Sequence, residues 1–412
     1  MKFLAALMTL ALLAVPSDFG AAAAKKKKAA APKPPPFSQE ALDEVQDRAA
    51  NGPSTLENAA ALVPFFEQVL HPMESGNTHA LQYGDSHTAS DDWTNAMRLA
   101  FQAKFGAGGP GFSLAGHPFK GYRRFDTSGT NTLGWVTDGP AGHLGDGRLG
   151  LGGVSVTSHR TNDIVTFEAE SDTIQLFYLQ QPGGGDFVVS VDGLNIQTIA
   201  TDGAPAAAYL PIQIQPGQHR YAIRATSARP VRLFGWAADR QSGITYETLG
   251  INGAQAPTIL DWDEPVFSSN MNARKPALIV LEYGTNESLN PKFTFEGYRE
   301  QFAQVLAKVR RAAPLASILV VGPPDCLRTM RPLPHIDDVI AIQRAVAAQS
   351  GCAFWDWRER MGGPGAVKQW ARAGLGQADY IHMTTAGYRL TAAMLFRDLM
   401  QQYDRYVAVR SE

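Results

Sequence analysis

Ala80-Leu81-Gln82-Tyr83-Gly84-Asp85-Ser86-His87 is the stretch on which the fold turns. A short apolar run, read as a strand over Ala80–Tyr83, ends in Gly-Asp-Ser, residues that favour turns. Ser90 then offers a helix N-cap, with Asp91 and Asp92 in the first turn. The helix carries Trp93, Met97, Ala100, Phe101 and Phe105 as an apolar stripe and stops at Gly106. A serine at a strand end, facing a helix start, is a place to hold an exposed nucleophile.

Three other segments belong with it. Asp379-Tyr380-Ile381-His382 supplies an acid and a base three residues apart. Between them and Ser86 lie Gly250-Ile251-Asn252-Gly253-Ala254 and Gly284-Thr285-Asn286-Glu287. Gly-Asp-Ser alone is a common turn sequence. What carries weight is the ordered set of four, each at a plausible strand end. In an open α/β sheet such groups gather at the C-terminal edge of the strands.

These segments, in this order, resemble blocks I, II, III and V of the SGNH/GDSL hydrolases. The resemblance covers about residues 80–106 and 246–403 and implies ester chemistry with Ser86 as nucleophile. A serine hydroxyl needs a base within hydrogen-bond reach. His382 is that base, with Asp379 orienting its ring. The family analogy assigns the oxyanion donors to the Ser86 and Gly253 backbone N–H groups and the Asn286 amide, with Gly250 as the alternative to Gly253. His87 departs from the family's Gly-Asp-Ser-Leu. G-x-S-x-G is absent, so the lipase-type elbow does not match.

Either side of a long middle segment, the pattern is strand and helix in alternation. Ala277–Leu281 and Ser317–Val321 are continuous apolar runs, as strands buried on both faces require. Helices are expected over Ser38–Leu70, Phe293–Ala313, Val339–Gln349 and Thr384–Tyr403, and a further strand over Cys352–Trp357. Successive βα units imply a parallel sheet. From about Gly116 to Arg240 the chain instead shows short alternating stretches: 154–157, 164–168, 174–179, 187–191, 196–199, 209–214, 219–226 and 231–237. Asp192-Gly193 is a hairpin signal. Many short strands with turn signals predict a β-sandwich. The fold class is therefore α/β, an SGNH-hydrolase parallel sheet flanked by helices, with an inserted all-β sandwich. The expected boundaries are a signal peptide at 1–24, a linker at 25–37, the hydrolase at 38–115 and 241–412, and the insert at 116–240.

The finer pattern is Gly-Asp-Ser-His-Thr, a β insert, Gly-Thr-Asn-Glu, then Asp-x-x-His. It is similar to the peptidoglycan O-acetylesterases of Gram-negative periplasms, which carry a carbohydrate-binding-type sandwich at this insertion point. The match implies removal of O-acetyl groups from a wall glycan, so the implied partner is an O-acetylated glycan polymer. Periplasmic polysaccharide O-acetyltransferases share these blocks and the acyl-enzyme. A non-catalytic glycan-binding protein with a vestigial site is a third reading, which the intact set of Ser86, Gly253, Asn286, Asp379 and His382 opposes. A thioesterase or lipase would want an apolar acyl channel. Within the insert, Tyr122, Trp135 and Tyr178 are candidates for stacking on sugar rings. The placement predicts that a short linker could replace the insert without loss of small-ester hydrolysis.

Met1-Lys2, the apolar run Phe3–Val15 and the small residues Ala21–Ala24 read as a secretory signal peptide, which places the chain in the periplasm or outside the cell. Lys25–Lys28 and the Ala/Pro run to Pro36 read as an extended tether. No other segment is long and apolar enough to span a membrane. The net charge of −2 gives no reason to invoke nucleic acid. No cofactor is implied. There is neither H-E-x-x-H nor a Cys/His cluster with metal-ligand spacing, and His79 and His87 are separated by a strand. Gly106-Ala107-Gly108-Gly109-Pro110-Gly111 matches G-x-G-x-x-G. However, it follows a helix and contains a proline, so it reads as a flexible loop and not a dinucleotide site. Cys326 ends one strand and Cys352 opens the next. In parallel neighbours these positions lie at opposite edges, beyond the roughly 4.4–6.8 Å that bridged Cα atoms need.

Overall fold

Strands that are apolar throughout must be covered on both sides, and this chain covers them with helices on one side and a mixed layer on the other. The computed structural model describes residues 33–71, 76–140 and 143–410, and every element below lies in the unit Pro34–Glu412. The signal-peptide segment 1–24 and the tether up to residue 32 lie outside the described residues.

The expected helix over Ser38–Leu70 is two helices. Ser38 caps α1 (Gln39–Asn51), its hydroxyl accepting from the Ala41 N–H. Gly52 is extended because Pro53 follows it. β1 (Leu56–Glu57) comes next, then α2 (Val63–Leu70). β2 (Asn77–Gly84) leads into α3 (Ser86–Ala89) and α4 (Asp92–Phe105). Asp91, not Ser90, takes the cap position of α4, in left-handed backbone at φ 59°. Its carboxylate is held there by Arg98 at 2.8 Å, the Phe125 N–H at 2.8 Å and the Thr248 hydroxyl.

Nine strands follow: β3 (Gly111–Leu114), β4 (Ser128–Asn131), β5 (Val136–Asp138), β6 (Ser155–Ser158), β7 (Ile164–Gln180), β8 (Asp186–Val191), β9 (Leu194–Ala200), β10 (Ala206–Ala225) and β11 (Val231–Asp239). They form one nine-stranded sheet. Two pairs of expected short strands are single long ones, β7 and β10. Pro216-Gly217 reads as a break, but the β7–β10 pairing absorbs it as a register shift between Gln213 and Gly217. One half of β7 pairs with β4, the other with β11. Side chains of both halves, among them Phe167, Leu176, Tyr221 and Trp236, enter one core. The Asp192-Gly193 hairpin joins β8 to β9 with both φ values positive, 51° and 82°. Tyr122, Trp135 and Tyr178 do not present ring faces. Each is 7 % exposed and packed in a core, because a large ring on an inward-facing strand or loop position gains most by full burial.

The segment Gly106–Gly111 is a fixed crossing, not a flexible loop. Ala107 bridges to Ile244, and the Gly108 N–H donates to the Ile244 carbonyl at 3.1 Å. A Cβ at Gly108 would fall 2.2 Å from Asn77 Oδ1 and 2.6 Å from Ile244 backbone. The glycine is there for close approach.

β12 (Gly243–Gly250), α5 (Glu264–Arg274), β13 (Leu278–Glu282), α6 (Phe295–Ala312) and β14 (Ser317–Val321) continue the fold. A small hairpin of β15 (Leu327–Arg328) and β16 (Arg331–Pro332) precedes α7 (Ile336–Gln349) and β17 (Ala353–Trp355). α8 (Trp357–Met361), α9 (Ala366–Arg372) and α10 (Thr385–Arg410) complete it. The second sheet has six strands in the order β1-β17-β14-β13-β2-β12. All its pairs are parallel except β1–β17. The strand period of two sorts its side chains. Ala80, Leu278, Val280 and Leu319 face the core under α1, α2, α4 and α10. Leu81, Ile279, Leu281 and Ile318 face the opposite core.

That opposite core also holds Phe112, Leu114, Phe177 and Phe234 of the nine-stranded sheet, and Tyr83 donates across it to the Leu151 carbonyl at 2.8 Å. Buried ion pairs run between the same two parts: Asp91 with Arg124, and Arg274 with Asp239. Replacing the β segment with a linker would expose this shared core and strip partners from buried charges. The expectation that a linker could replace it therefore fails on packing. β14 and β17 are parallel neighbours. Cys326 and Cys352 are separate buried thiols, directed at the carbonyls of Ile381 and Ser350.

Candidate active site

β2 ends at Gly84, and the chain turns at once into α3. Asp85 caps that helix, its carboxylate accepting the His87 N–H at 2.9 Å. This sets Ser86 at the C-terminal edge of the parallel sheet, half-buried. Its Oγ lies 2.9 Å from His382 Nε2. His382 Nδ1 lies 2.7 Å from Asp379 Oδ2, and Asp379 Oδ1 accepts the N–H groups of Ile381 and His382, each at 3.0 Å. Tyr380 takes left-handed backbone at φ 56° to close this turn. The tautomer follows from the partners. Nδ1 donates to the carboxylate, which leaves Nε2 as the acceptor for the serine hydroxyl.

Asp379 is pulled in two directions. Burial raises its carboxyl, but the His382 ring and the two backbone N–H groups outweigh that and bring it to about 2. The hydrogen bond to Asp379 raises His382 above its ordinary 6.5, against partial burial. A base must be neutral to accept a proton, so kcat/KM for a neutral acetyl ester should rise with pH, with its midpoint above 6.5. Asp379 stays ionised throughout. A rate flat from about pH 8 to about pH 4 would exclude a histidine base.

Gly253 follows β12 and Asn286 follows β13, so both arrive at the same edge as Ser86. Gly253 is exposed, at φ 76°, with open space where a Cβ would stand. Gly250 is different. It lies in β12, where a Cβ would meet the Ala89 backbone at 2.3 Å, so it lets the sheet pack close behind α3. The Asn286 amide nitrogen lies 3.1 Å from Asp85 Oδ2 and 3.0 Å from the Ala254 carbonyl. The amide is thereby fixed between the nucleophile turn and the Gly253 loop.

Sequence reasoning missed what lies beneath. Asp85, Glu282 and Glu287 are buried carboxyls around the site. Burial lifts Asp85 to about 7, against the His87 N–H, and Glu287 to about 7, against the N–H groups it accepts. Burial, with Asp85 nearby, pushes Glu282 well above the usual range. Glu287 accepts from the Ala256 N–H at 2.7 Å and the Gly284 N–H at 3.0 Å, tying the Gly253 and Asn286 loops together. Glu282 accepts from the Thr88 hydroxyl at 2.9 Å. His87 is fully buried. Its Nδ1 meets the Tyr388 hydroxyl at 2.9 Å, and its ring sits 5.3 Å from Trp357 and 5.2 Å from His382. The only hint was that Glu282 closes an otherwise apolar strand. His79 is elsewhere, bonded to Thr245. Among the described residues no group of three His, Cys, Asp or Glu is placed to hold a metal, and no helix is long and apolar enough to cross a membrane.

Residues 217–390 match the GDSL-like Lipase/Acylhydrolase family. The match contains Gly253, Asn286, Asp379 and His382, and Ser86 precedes it, across the nine-stranded sheet. A solved peptidoglycan O-acetylesterase shares the fold, with TM-score 0.73 and 24 % identity over 85 % of this chain and 99 % of that one. A family two carbohydrate esterase from Cellvibrio japonicus aligns at TM-score 0.29 and 12 % identity, covering 68 % of this chain and 98 % of that one. No curated protein matches the chain.

Proposed function

We propose that this chain is a carboxylic ester hydrolase of the SGNH, GDSL-like acylhydrolase type that removes O-acetyl groups from a cell-wall polysaccharide, peptidoglycan first, through an acyl-enzyme on Ser86. The observation that carries this is the relay Asp379–His382–Ser86, at 2.7 and 2.9 Å, on the C-terminal edge of the sheet. The fold shared with a peptidoglycan O-acetylesterase supports the choice of substrate. On this reading residues 1–24 are a secretory signal, and the enzyme works in the periplasm or outside the cell. The strands between Gly111 and Asp239 are read as a carbohydrate-binding-type sandwich overhanging the site.

The chemistry follows from the groups present. Ser86 Oγ attacks the acetyl carbonyl as its proton passes to His382 Nε2. Asp379 stabilises the imidazolium. The oxyanion is held by the Ser86 and Gly253 N–H groups and by the Asn286 amide, which gives up one of its two present acceptors, Asp85 or the Ala254 carbonyl, to donate to it. His382 then protonates the leaving sugar oxygen, and the acetyl group stays on Ser86. Water, deprotonated by His382, releases acetate. In this frame Asn286→Ala should lower kcat by roughly 10²–10³ with little change in KM. A change confined to KM would make Asn286 a substrate-positioning residue instead.

The deciding experiment measures acetate release from O-acetylated peptidoglycan, xylan and alginate, with sugar products checked for acetyl transfer. Release from peptidoglycan in preference to the other two supports the proposal. Release from none overturns it, and transfer to a sugar hydroxyl would make the chain an acetyltransferase.

A further inference from the structure

A cleft of about 590 Å³ opens beside the nucleophile helix, within the range of roughly 300–1,000 Å³ typical of ligand sites. Ser113, His117, Thr127 and Ser128 line its walls, and Tyr122 and Phe167 its floor. Nothing in the relay uses it. Its charges are internally matched: Arg123 pairs with Asp92, and Arg124 pairs with Asp126 at 2.9 Å. What remains is a set of hydroxyl and imidazole groups, with the Tyr122 and Phe167 rings buried beneath them. A sugar, rich in hydroxyls that both donate and accept, fits that lining better than an ion or a fatty chain does.

The loop 116–125 ties this cleft to the catalytic edge at both ends. Arg123 Nε donates to the Ser90 carbonyl at 2.8 Å, and Ser90 caps the C-terminus of α3, whose first residue is Ser86. The Phe125 N–H donates to Asp91 Oδ2 at 2.8 Å. On the other side, Asn252 Nδ2 donates to the Lys120 carbonyl at 3.2 Å, next to Gly253. Gly121 is required at this contact. Its φ is 95°, and a Cβ would lie 2.5 Å from Asn252 Nδ2. The loop that lines the cleft is therefore anchored beside both the α3 turn and the Gly253 loop.

We infer that the cleft walled by Ser113, His117, Thr127 and Ser128 is a saccharide subsite, holding a sugar of the same glycan strand that adjoins the acetylated residue at Ser86. This rests on the reading of the chain as a glycan O-acetylesterase and adds where the strand lies. The subsite would act on polymer specificity and leave the acyl chemistry alone.

The test uses two variants away from the relay, His117→Leu and the double change Thr127→Leu with Ser128→Leu. Both put aliphatic bulk in place of polar groups without offering a ring to stack. Each should hydrolyse a chromogenic acetyl ester within about 2-fold of the parent, which also reports a folded site. Acetate release from O-acetylated glycan should fall at least 10-fold. Direct binding separates this from the functional reading. A tetrasaccharide of alternating N-acetylglucosamine and N-acetylmuramic acid is titrated calorimetrically into the full chain carrying Ser86→Ala. Binding that weakens at least 10-fold with the double change supports the subsite. Unchanged binding, or none in the parent, overturns it. If the parent binds the tetrasaccharide but releases no acetate from any glycan, the subsite stands and the esterase proposal falls.

Discussion

Ser86→Ala should leave a folded protein whose kcat has fallen about 10⁶-fold. In the proposed mechanism Ser86 Oγ attacks the acyl carbon, and it is the hydroxyl that His382 Nε2 meets, at 2.9 Å. Alanine suits the position, since Ser86 opens α3 and its side chain caps nothing; Asp85 does that work. The checks are near-unchanged circular dichroism, loss of chromogenic acetyl-ester hydrolysis, and labelling of the parent at Ser86 by a sulfonyl fluoride. Labelling at another serine would sink the assignment.

Asp379→Asn costs about 10⁴-fold in kcat while the backbone stays in place. Asp379 Oδ1 accepts two backbone N–H groups, so asparagine keeps its carbonyl oxygen there and turns its NH₂ toward His382 Nδ1. Nδ1 must then accept, the ring proton moves to Nε2, and Nε2 can no longer take the proton of Ser86. The loss should therefore fall on kcat and shift the pH profile, because the carboxylate that raised His382 is gone. An Asp379→Asn enzyme with full kcat and the parental pH midpoint would show that Asp379 only shapes the turn.

Much of this was legible along the chain, and the parts that were not share one cause. Ala277–Leu281 and Ser317–Val321 read as doubly buried strands because their apolar runs are a local property. They stand in the structure as β13 and β14, parallel and adjacent. Ser86, Gly253, Asn286 and His382 could be placed at strand ends for the same reason. By contrast, Pro216-Gly217 falls between two stretches, 209–214 and 219–226, that read as separate strands. It became a bulge because β7 supplies a partner on both sides of it. Tyr122, Trp135 and Tyr178 looked available for sugar, and burial depends on what packs over a ring, which no local pattern records.

Local pattern was enough to order the strands and helices of the α/β part, to single out Ser86, Asp379 and His382, which the structure brings together, and to mark the long β-rich interval between Ser86 and Gly253. These rest on residue type, short spacing and periodicity. Only the tertiary structure decided that the nine-stranded sheet shares a core with the parallel sheet, so that neither can be removed cleanly. It alone brought Glu282 and Glu287 in around Asp85 at the Ser86 turn and set the cleft of the 116–125 loop beside Ser90. The physical reason is that a carboxyl's proton affinity and a cleft's shape come from groups far apart in the chain, whose solvent and neighbours exist only once the two sheets have packed.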